Sequence, residues 1–344
     1  MSKAKTLLEL INLLGKEANK ETPSDSEDKP IEVTVTTVEE FIAALENLSG
    51  KTEITLEDNL NLEAPLEVPA GAEVILNLSN NSVTVDKDIY AFENSGNMTI
   101  NGGEITGKGV LNNPDGTLVI DSDAHITSTN EDGGTAAIQN EGDLVIKSGT
   151  FAVTHVGSTK DPKGVAIVRN NGTMVVEQGT FESPNKRAYA IISNGEITLT
   201  NSGETIINGV HGGIAADSGK VTINGGSYNS DEFYAIYASI DAVTDMDDEE
   251  QIPNIVINDG TFNGKRYSIW IGSDDNPIVK GYIRIYGGTF LKPVNAEAKV
   301  LEGNGIFIYG GKFASPVGAQ YLAEGYGCTP EPDDDGFYHV VPTN

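Results

Sequence analysis

Short apolar–polar alternations, each broken by a turn, recur along most of the chain. Met98/Ile100, Leu118/Ile120, Leu144/Ile146, Met174/Val176 and Val221/Ile223 are pairs spaced by two, the period that puts side chains on one face of a strand. Each pair is followed by a bend, in most copies with glycine, and then by one more apolar position. Aligned on that position, nine copies end at Ile105, Ile126, Phe151, Phe181, Ile206, Tyr228, Phe262, Phe290 and Phe313, spaced 21 to 34 residues apart. Glycine at the bend permits a positive φ, and the Phe, Tyr or Ile after it turns back into the core. A repeat of this length, built of short strands, is one coil of a solenoid whose loops absorb the uneven spacing. The pattern predicts an all-β fold, a parallel β-helix of about nine to eleven coils, right-handed by the general preference of parallel crossovers.

A second strand precedes the earlier copies (YAFEN, GVLNN, AAIQN, AIVRNN, YAIISN, GIAAD) and ends at Asn94, Asn113, Asn140, Asn170, Asn194 and Asp217. Stacked coils bring these side chains into one row, where amides satisfy one another and the backbone of the bend. The residues expected to face outward on this strand are Glu93, Asn112, Gln139, Val168, Ile192, Ala216, Tyr237 and Trp270. On the first strand the outward column reads Thr99, Val119, Val145, Val175, Thr198, Thr222, Val256, Arg284 and Phe307. It suits strand propensity alone, or a self-association face if uncovered.

The ends of the chain depart from the repeat. Leu7, Leu10, Ile11 and Leu14 form one stripe of an amphipathic helix over residues 1–18. Residues 19–31 are polar and charged, a flexible acidic linker. A sticky helix on a tether is an anchor for a partner, or it folds back on its own domain. Residues 32–50 provide a capping strand and helix: Thr37 and Glu40 form a capping box, and Phe41, Ile42, Leu45 and Leu48 give an apolar stripe ending at Gly50. The β-helix is expected over 51–313 and a C-terminal cap over 314–344, with a short helix and a hairpin tipped by Asp333-Asp334-Asp335-Gly336.

Charge narrows the partners. With 51 Asp+Glu against 22 Lys+Arg, the net charge of −29 disfavours nucleic acid and anionic membranes. One cysteine, Cys328, excludes an intrachain disulfide framework. No stretch approaches a membrane span, and Glu9 and Asn12 interrupt the apolar N-terminal run, so no signal peptide is expected. The longest insertion, 239–253, carries Asp245, Asp247 and Asp248, which read as a solvated acidic loop or, less well, as oxygen ligands for Ca²⁺. No cofactor is expected. Tyr237 and Trp270 fall on adjacent coils as candidate stacking platforms for sugar rings, unless the insertion folds over them.

The G-T-F repeats, followed by Tyr321-Leu322-Ala323-Glu324-Gly325-Tyr326 and an acidic turn before Phe337-Tyr338-His339-Val340, resemble a right-handed, pectin-lyase-like β-helix module. It occurs in gut-type Gram-positive surface proteins and in structural proteins of their bacteriophages. With neither a signal peptide nor a wall anchor expected, the resemblance implies a virion protein: a head fibre, capsid decoration or tailspike-like rod. It would be made in the host cytoplasm and dock through its N-terminus on a capsid or other virion protein. No known virion-anchor motif is matched in residues 1–18. Homo-oligomers, trimers foremost, and weak adhesion to host-surface glycans are the associations such rods imply. The alternative is a bacterial surface adhesin or a carbohydrate-active enzyme on the same fold. The residue sets of polygalacturonase-like and pectate-lyase-like sites are not matched: His211 sits in Val-His-Gly-Gly, and Asp274-Asp275 stands without an Arg-x-Lys. Two carboxylates suffice for a glycosidase, but an acid-rich chain supplies pairs such as Asp121/Asp123 by chance, so no catalytic residue is assigned.

Overall fold

In the computed structural model, residues 29–130, 136–154, 165–183, 188–200, 204–239, 252–272, 281–297 and 305–343 are described. The chain winds into a β-solenoid of about 10 turns in which each strand pairs in parallel with its equivalent one coil on. A typical coil has three strands. Asn97–Asn101 lies on a first face, Glu104–Gly107 on a second and Gly109–Asn112 on a third, before Thr117–Asp121 returns to the first. Glu73–Val85 and Asn97–Gly107 run unbroken around the first corner, so the first two faces form one hydrogen-bonded sheet. The third face is a sheet of ten strands among the described residues.

The period-two pairs all point inward: Ile100, Leu118, Ile120, Leu144, Ile146, Met174, Val176, Val221 and Ile223 are fully buried. The apolar position after the bend forms a column through the second face. Within it Phe151 and Phe181 stack at 5.0 Å, and Tyr228, Phe262, Phe290 and Phe313 stack successively at 4.9, 4.9 and 4.7 Å. These separations match the spacing of about 4.8 Å between hydrogen-bonded strands, so the rings stack because the backbones do. In this column Ile207, not Ile206, is the residue aligned with Phe181 and Tyr228. The buried Tyr228 hydroxyl donates to the Gly225 carbonyl at 2.6 Å, and burial raises its pKa. The bend before the rings needs glycine. Gly288 has φ +101°, and a Cβ there would lie 2.9 Å from the Gly260 carbonyl oxygen of the preceding coil.

At the corner after the third face runs an inner amide ladder. The Asn94 Nδ2 group donates to Asn112 Oδ1, Asn112 to Asn140 and Asn140 to Asn170, each at 2.7 Å, and Asn170 to Ser193 Oγ at 3.2 Å. All five residues are fully buried, and the amides also donate to backbone carbonyls such as those of Gly96 and Thr117. The row therefore passes through Asn112, Ser193 and Ala216, in place of Asn113, Asn194 and Asp217. For the same reason Asn112, Val168 and Ala216 point inward, and the outward column is Glu93, Leu111, Gln139, Arg169, Ile192, Ala215, Tyr237 and Trp270. A strand's faces alternate with period two, so a one-residue error in register exchanges inside for outside. On the first face, the outward column from Thr99 to Phe307 is as expected.

Both ends of the rod are covered. The helix Val38–Glu46 is capped by Thr37 Oγ1, which accepts from the Glu40 amide at 3.2 Å, while Glu40 reaches back to the Thr36 amide at 2.7 Å and to the Thr36 hydroxyl. The reciprocal bond thus goes to Thr36, one residue before the cap. Phe41 and Leu45 are buried over the first coils, with Phe41 against Phe92, whereas Ile42 faces solvent. At the other end Tyr326–Cys328 and Tyr338–Pro342 form an antiparallel hairpin, and the latter strand also caps Lys312–Phe313. A single 3-10 turn, Ala319–Tyr321, stands where the short helix is expected. In the hairpin turn, Asp333 accepts from the amides of Asp335 and Phe337 and contacts His339 Nε2 at 2.6 Å. The Phe337 amide bond is the main reason that its carboxyl titrates below the ordinary range, with the His339 bond next.

Two outcomes follow from these packings. Phe262→Ala removes the middle of the ring stack and is expected to cost about 3–5 kcal/mol. Thr261→Ala beside it should stay within about 0.5 kcal/mol, both read from denaturant unfolding. Because the folded pKa of Asp333 is depressed, its contribution is present above the unfolded pKa and is lost as pH falls through the folded value. The Phe337 amide resonance should therefore hold its position into acid beyond the ordinary carboxylate range, and Asp333→Asn should shift it at neutral pH.

Candidate functional site

The residue directly after each inward member of the second-face column faces outward. In four successive coils that residue is Glu182, Asn208, Asn229 and Asn263. Asn208 Nδ2 donates to Glu182 Oε1 at 3.0 Å, and Asn229 Nδ2 to Asn208 Oδ1 at 2.8 Å. Asn263 is the next rung, yet among the described residues its side chain makes no hydrogen bond. With Ser183, Gly209, Val210 and Asp231 the four rungs line a groove of about 540 Å³. It runs parallel to the rod axis over three coil steps, roughly 14 Å. Gly209 allows the chain to turn tightly here, since a Cβ would meet the Gly212 carbonyl oxygen at 1.6 Å.

Aromatic groups border the turn between the second and third faces. His211 packs on Phe233 at 4.3 Å, Tyr189 meets His211 edge-on at 5.0 Å, and the Arg266 guanidinium lies 4.3 Å over the Phe233 ring. The groove thus offers carboxamides, carboxylates and backbone along its length and an aromatic–cationic edge nearby. Carboxamides that donate and accept, beside carboxylates that accept, are suited to vicinal hydroxyls. Glu182 and Asp231, in a chain of net charge −29, oppose phosphate, sulfate or uronate.

Tyr237 and Trp270 are neighbours across a coil step. Tyr237 is only 7% exposed and packs with Ala166, Tyr189, Ile192 and Ala215, so its ring offers little open face. Trp270, half-buried, is stacked with Tyr267 at 5.2 Å and Tyr234 at 5.6 Å. These rings form a ladder on the third face in which each covers the next. Leu7, Leu10, Ile11 and Leu14 lie outside the described residues, as do Asp245, Asp247, Asp248 and Asp274-Asp275. Asp121 is engaged by Lys147 at 3.2 Å. Among the described residues, no group of three or more His, Cys, Asp or Glu side chains is placed to hold a metal ion, and no helix is long and apolar enough to cross a membrane. Among the described residues, the two carboxyls whose pKa clearly moves, Glu40 and Asp333, are both lowered by hydrogen bonds from a cap and a turn, led by the Thr36 and Phe337 amides.

Comparison with protein-family models, curated proteins and solved structures returns no match for this chain. The groove stands on the second face, outside the two outward columns that the strand alternation marks in the sequence. Its signal is nevertheless present: the residue after the core position reads Glu, Asn, Asn, Asn in TFE, IIN, SYN and TFN.

Proposed function

We propose that the protein is a non-enzymatic rod of the virion-surface kind, a phage head fibre or capsid decoration. In this reading it is carried by its N-terminal segment and holds host-surface glycans weakly in the Glu182–Asn263 groove. The observation that carries the glycan part is the row of outward carboxamides on consecutive coils, ending in a rung with no side-chain hydrogen bond among the described residues. The virion part is supported by the resemblance of the G-T-F repeats and the C-terminal segment to phage structural modules. The chemistry of the groove selects neutral or amino-sugar glycans over acidic ones.

Calorimetry with neutral and uronate-containing oligosaccharides tests the groove. Asn229→Ala and Asn263→Ala should each weaken neutral-glycan binding about fivefold, the effect of one lost hydrogen bond of ~1 kcal/mol. Equal affinity in the double variant would end the assignment. Removal of residues 1–30 should abolish incorporation into particles while leaving glycan affinity unchanged.

One observation favours a hydrolase as the second reading: Glu182 and Asp231 bring two carboxyl groups to the same groove. Release of reducing ends from a neutral polysaccharide, lost in Glu182→Gln, would replace binding by cleavage.

A further inference from the structure

The carboxamide row of the groove runs into an apolar residue. Asn263 is followed in the next coil by Leu291 and then by Ala314. The Leu291 amide donates to the Phe262 carbonyl at 2.9 Å, and the Ala314 amide to the Phe290 carbonyl at 3.0 Å. Each step is about 4.8 Å. Both side chains face outward and are exposed, Leu291 at 36%. The ladder itself breaks one rung earlier. Among the described residues Asn229 Oδ1 accepts no hydrogen bond and the Asn263 side chain makes none, although the two are paired positions of adjacent coils. A carboxamide with open donors therefore stands one coil step from an exposed isobutyl group. The turns that flank this end, residues 264–267 and 291–293, are described. Residues 155–164 and 184–187, outside the described residues, leave the second face at the opposite end, before and after Glu182 and Ser183, and 131–135 leave it earlier still. Residues 201–203 join the first face to the second ahead of Asn208, and 240–251, 273–280 and 298–304 join the third face to the first.

We propose that the groove selects N-acetylated amino sugars, with the acetamido group of one sugar seated across Asn263 and Leu291 as the next rung of the row. The inference rests on the groove being a glycan site and names the sugar that it prefers. An acetamido group is an amide that carries a methyl, and the two side chains offer those two contacts in order. Its carbonyl accepts from Asn263 Nδ2, one of the two donors on that carboxamide. Its methyl, on the other side of the carbonyl carbon, lies on Leu291, while its N–H is left to water. From nitrogen to methyl carbon the group measures about 2.4 Å by covalent geometry. That is half a coil step, so one group is within contact distance of both rungs. Asn229 Oδ1, one coil back, is open to a hydroxyl of the same sugar or its neighbour. A hydroxyl in place of the acetamido satisfies Asn263 as well but leaves Leu291 facing water. An anionic substituent gains nothing from Leu291 and is opposed by Glu182 and Asp231 further along the groove. Only the acetamido group answers both the carboxamide and the leucine.

Titration of the full chain with β-1,4-linked trimers of N-acetylglucosamine, glucose and glucosamine tests the selection. The N-acetylated trimer should bind at least fourfold more tightly than the glucose trimer, the effect of burying one methyl group. Leu291→Asn, at an exposed position, should bring that ratio to within twofold and leave the glucose trimer unchanged, whereas Leu291→Met should keep the ratio. In saturation-transfer NMR the acetyl methyl should receive the most signal from the protein, and less in Leu291→Asn. Equal affinity for the acetylated and glucose trimers, or a ratio that survives Leu291→Asn, would overturn the proposal. The groove would then still stand as a glycan site if Asn229→Ala weakened both trimers. Tighter binding of the glucosamine trimer than of the acetylated one would also overturn it, by giving the preference to the charge of Glu182 and Asp231. Binding of none of the three would end the glycan reading of the groove and this inference with it.

Discussion

The parallel hydrogen bonding between consecutive coils is the constraint from which the rest of this protein follows. Backbone amides donate to the neighbouring coils on both sides, as Thr173 does to the preceding Gly142 carbonyl and Ala137 to the following Ile167 carbonyl, each at 2.9 Å, so each side chain lies about 4.8 Å from its equivalent. Only side chains that tolerate a neighbour of their own kind can fill such columns. Aliphatic groups do so by packing and rings by offset stacking. Carboxamides do so because each is both donor and acceptor. A carboxylate has no donor for a neighbour of its own kind, and several acids here are met by a donor from the next coil. Glu53, Glu141 and Glu182 accept from Asn77, Asn171 and Asn208 of the next coil. Asp121 is met by Lys147 instead.

Direction distinguishes the amide rows. In the buried ladder each asparagine donates forward, Asn94 to Asn112 and onward, whereas in the outer rows each donates backward, as Asn194 does to Asn171 and Asn229 to Asn208. A backward-donating row can start on a carboxylate, and it finishes on a carbonyl oxygen. The surface rows consume acidic groups at one end and present an acceptor at the other. The acidity of the chain is in part the terminal group of these ladders.

The columns also explain which features were legible in the sequence. On the first face the alternation around Leu144, Val145 and Ile146 fixes the register, because both flanking positions are strongly apolar. On the third face Gly109–Asn112 is followed by a second asparagine, and Tyr189–Ser193 by Asn194. Two adjacent polar residues at the corner leave the sequence without a mark for which one turns inward. The deciding contact is one coil away, where Asn94 Nδ2 meets Asn112 and the outer Asn113 instead meets Ser95. Asn113 and Asn194 do belong to a polar row, but it is the outer one. The exposure of Ile42 has a similar origin: the helix turns Phe41 and Leu45 into the core, with Val38, Ala44 and Leu48 packed beside them, and Ile42 falls outside that face. Burial of Tyr237 depends on Ala215 one coil away and on Tyr189 and Ile192 two coils away, which no local pattern encodes.

The same residue type therefore serves two purposes according to what the next coil supplies. Asn140 receives from Asn112, donates to Asn170 and also bonds the Gly142 and Thr173 carbonyls, so nothing of its amide is left for a ligand. Asn263 stands in an equally regular column but lies beside an open groove, and Leu291 follows it in the next coil, donating its backbone amide to the Phe262 carbonyl. A leucine there cannot continue the amide row, which leaves the unspent capacity of the ladder at one place on the surface. A polar column that runs out while still facing a groove is where a stacked fold of this kind has hydrogen bonds to offer. The aromatic ladder of Tyr234, Tyr267 and Trp270 has largely spent its faces on itself.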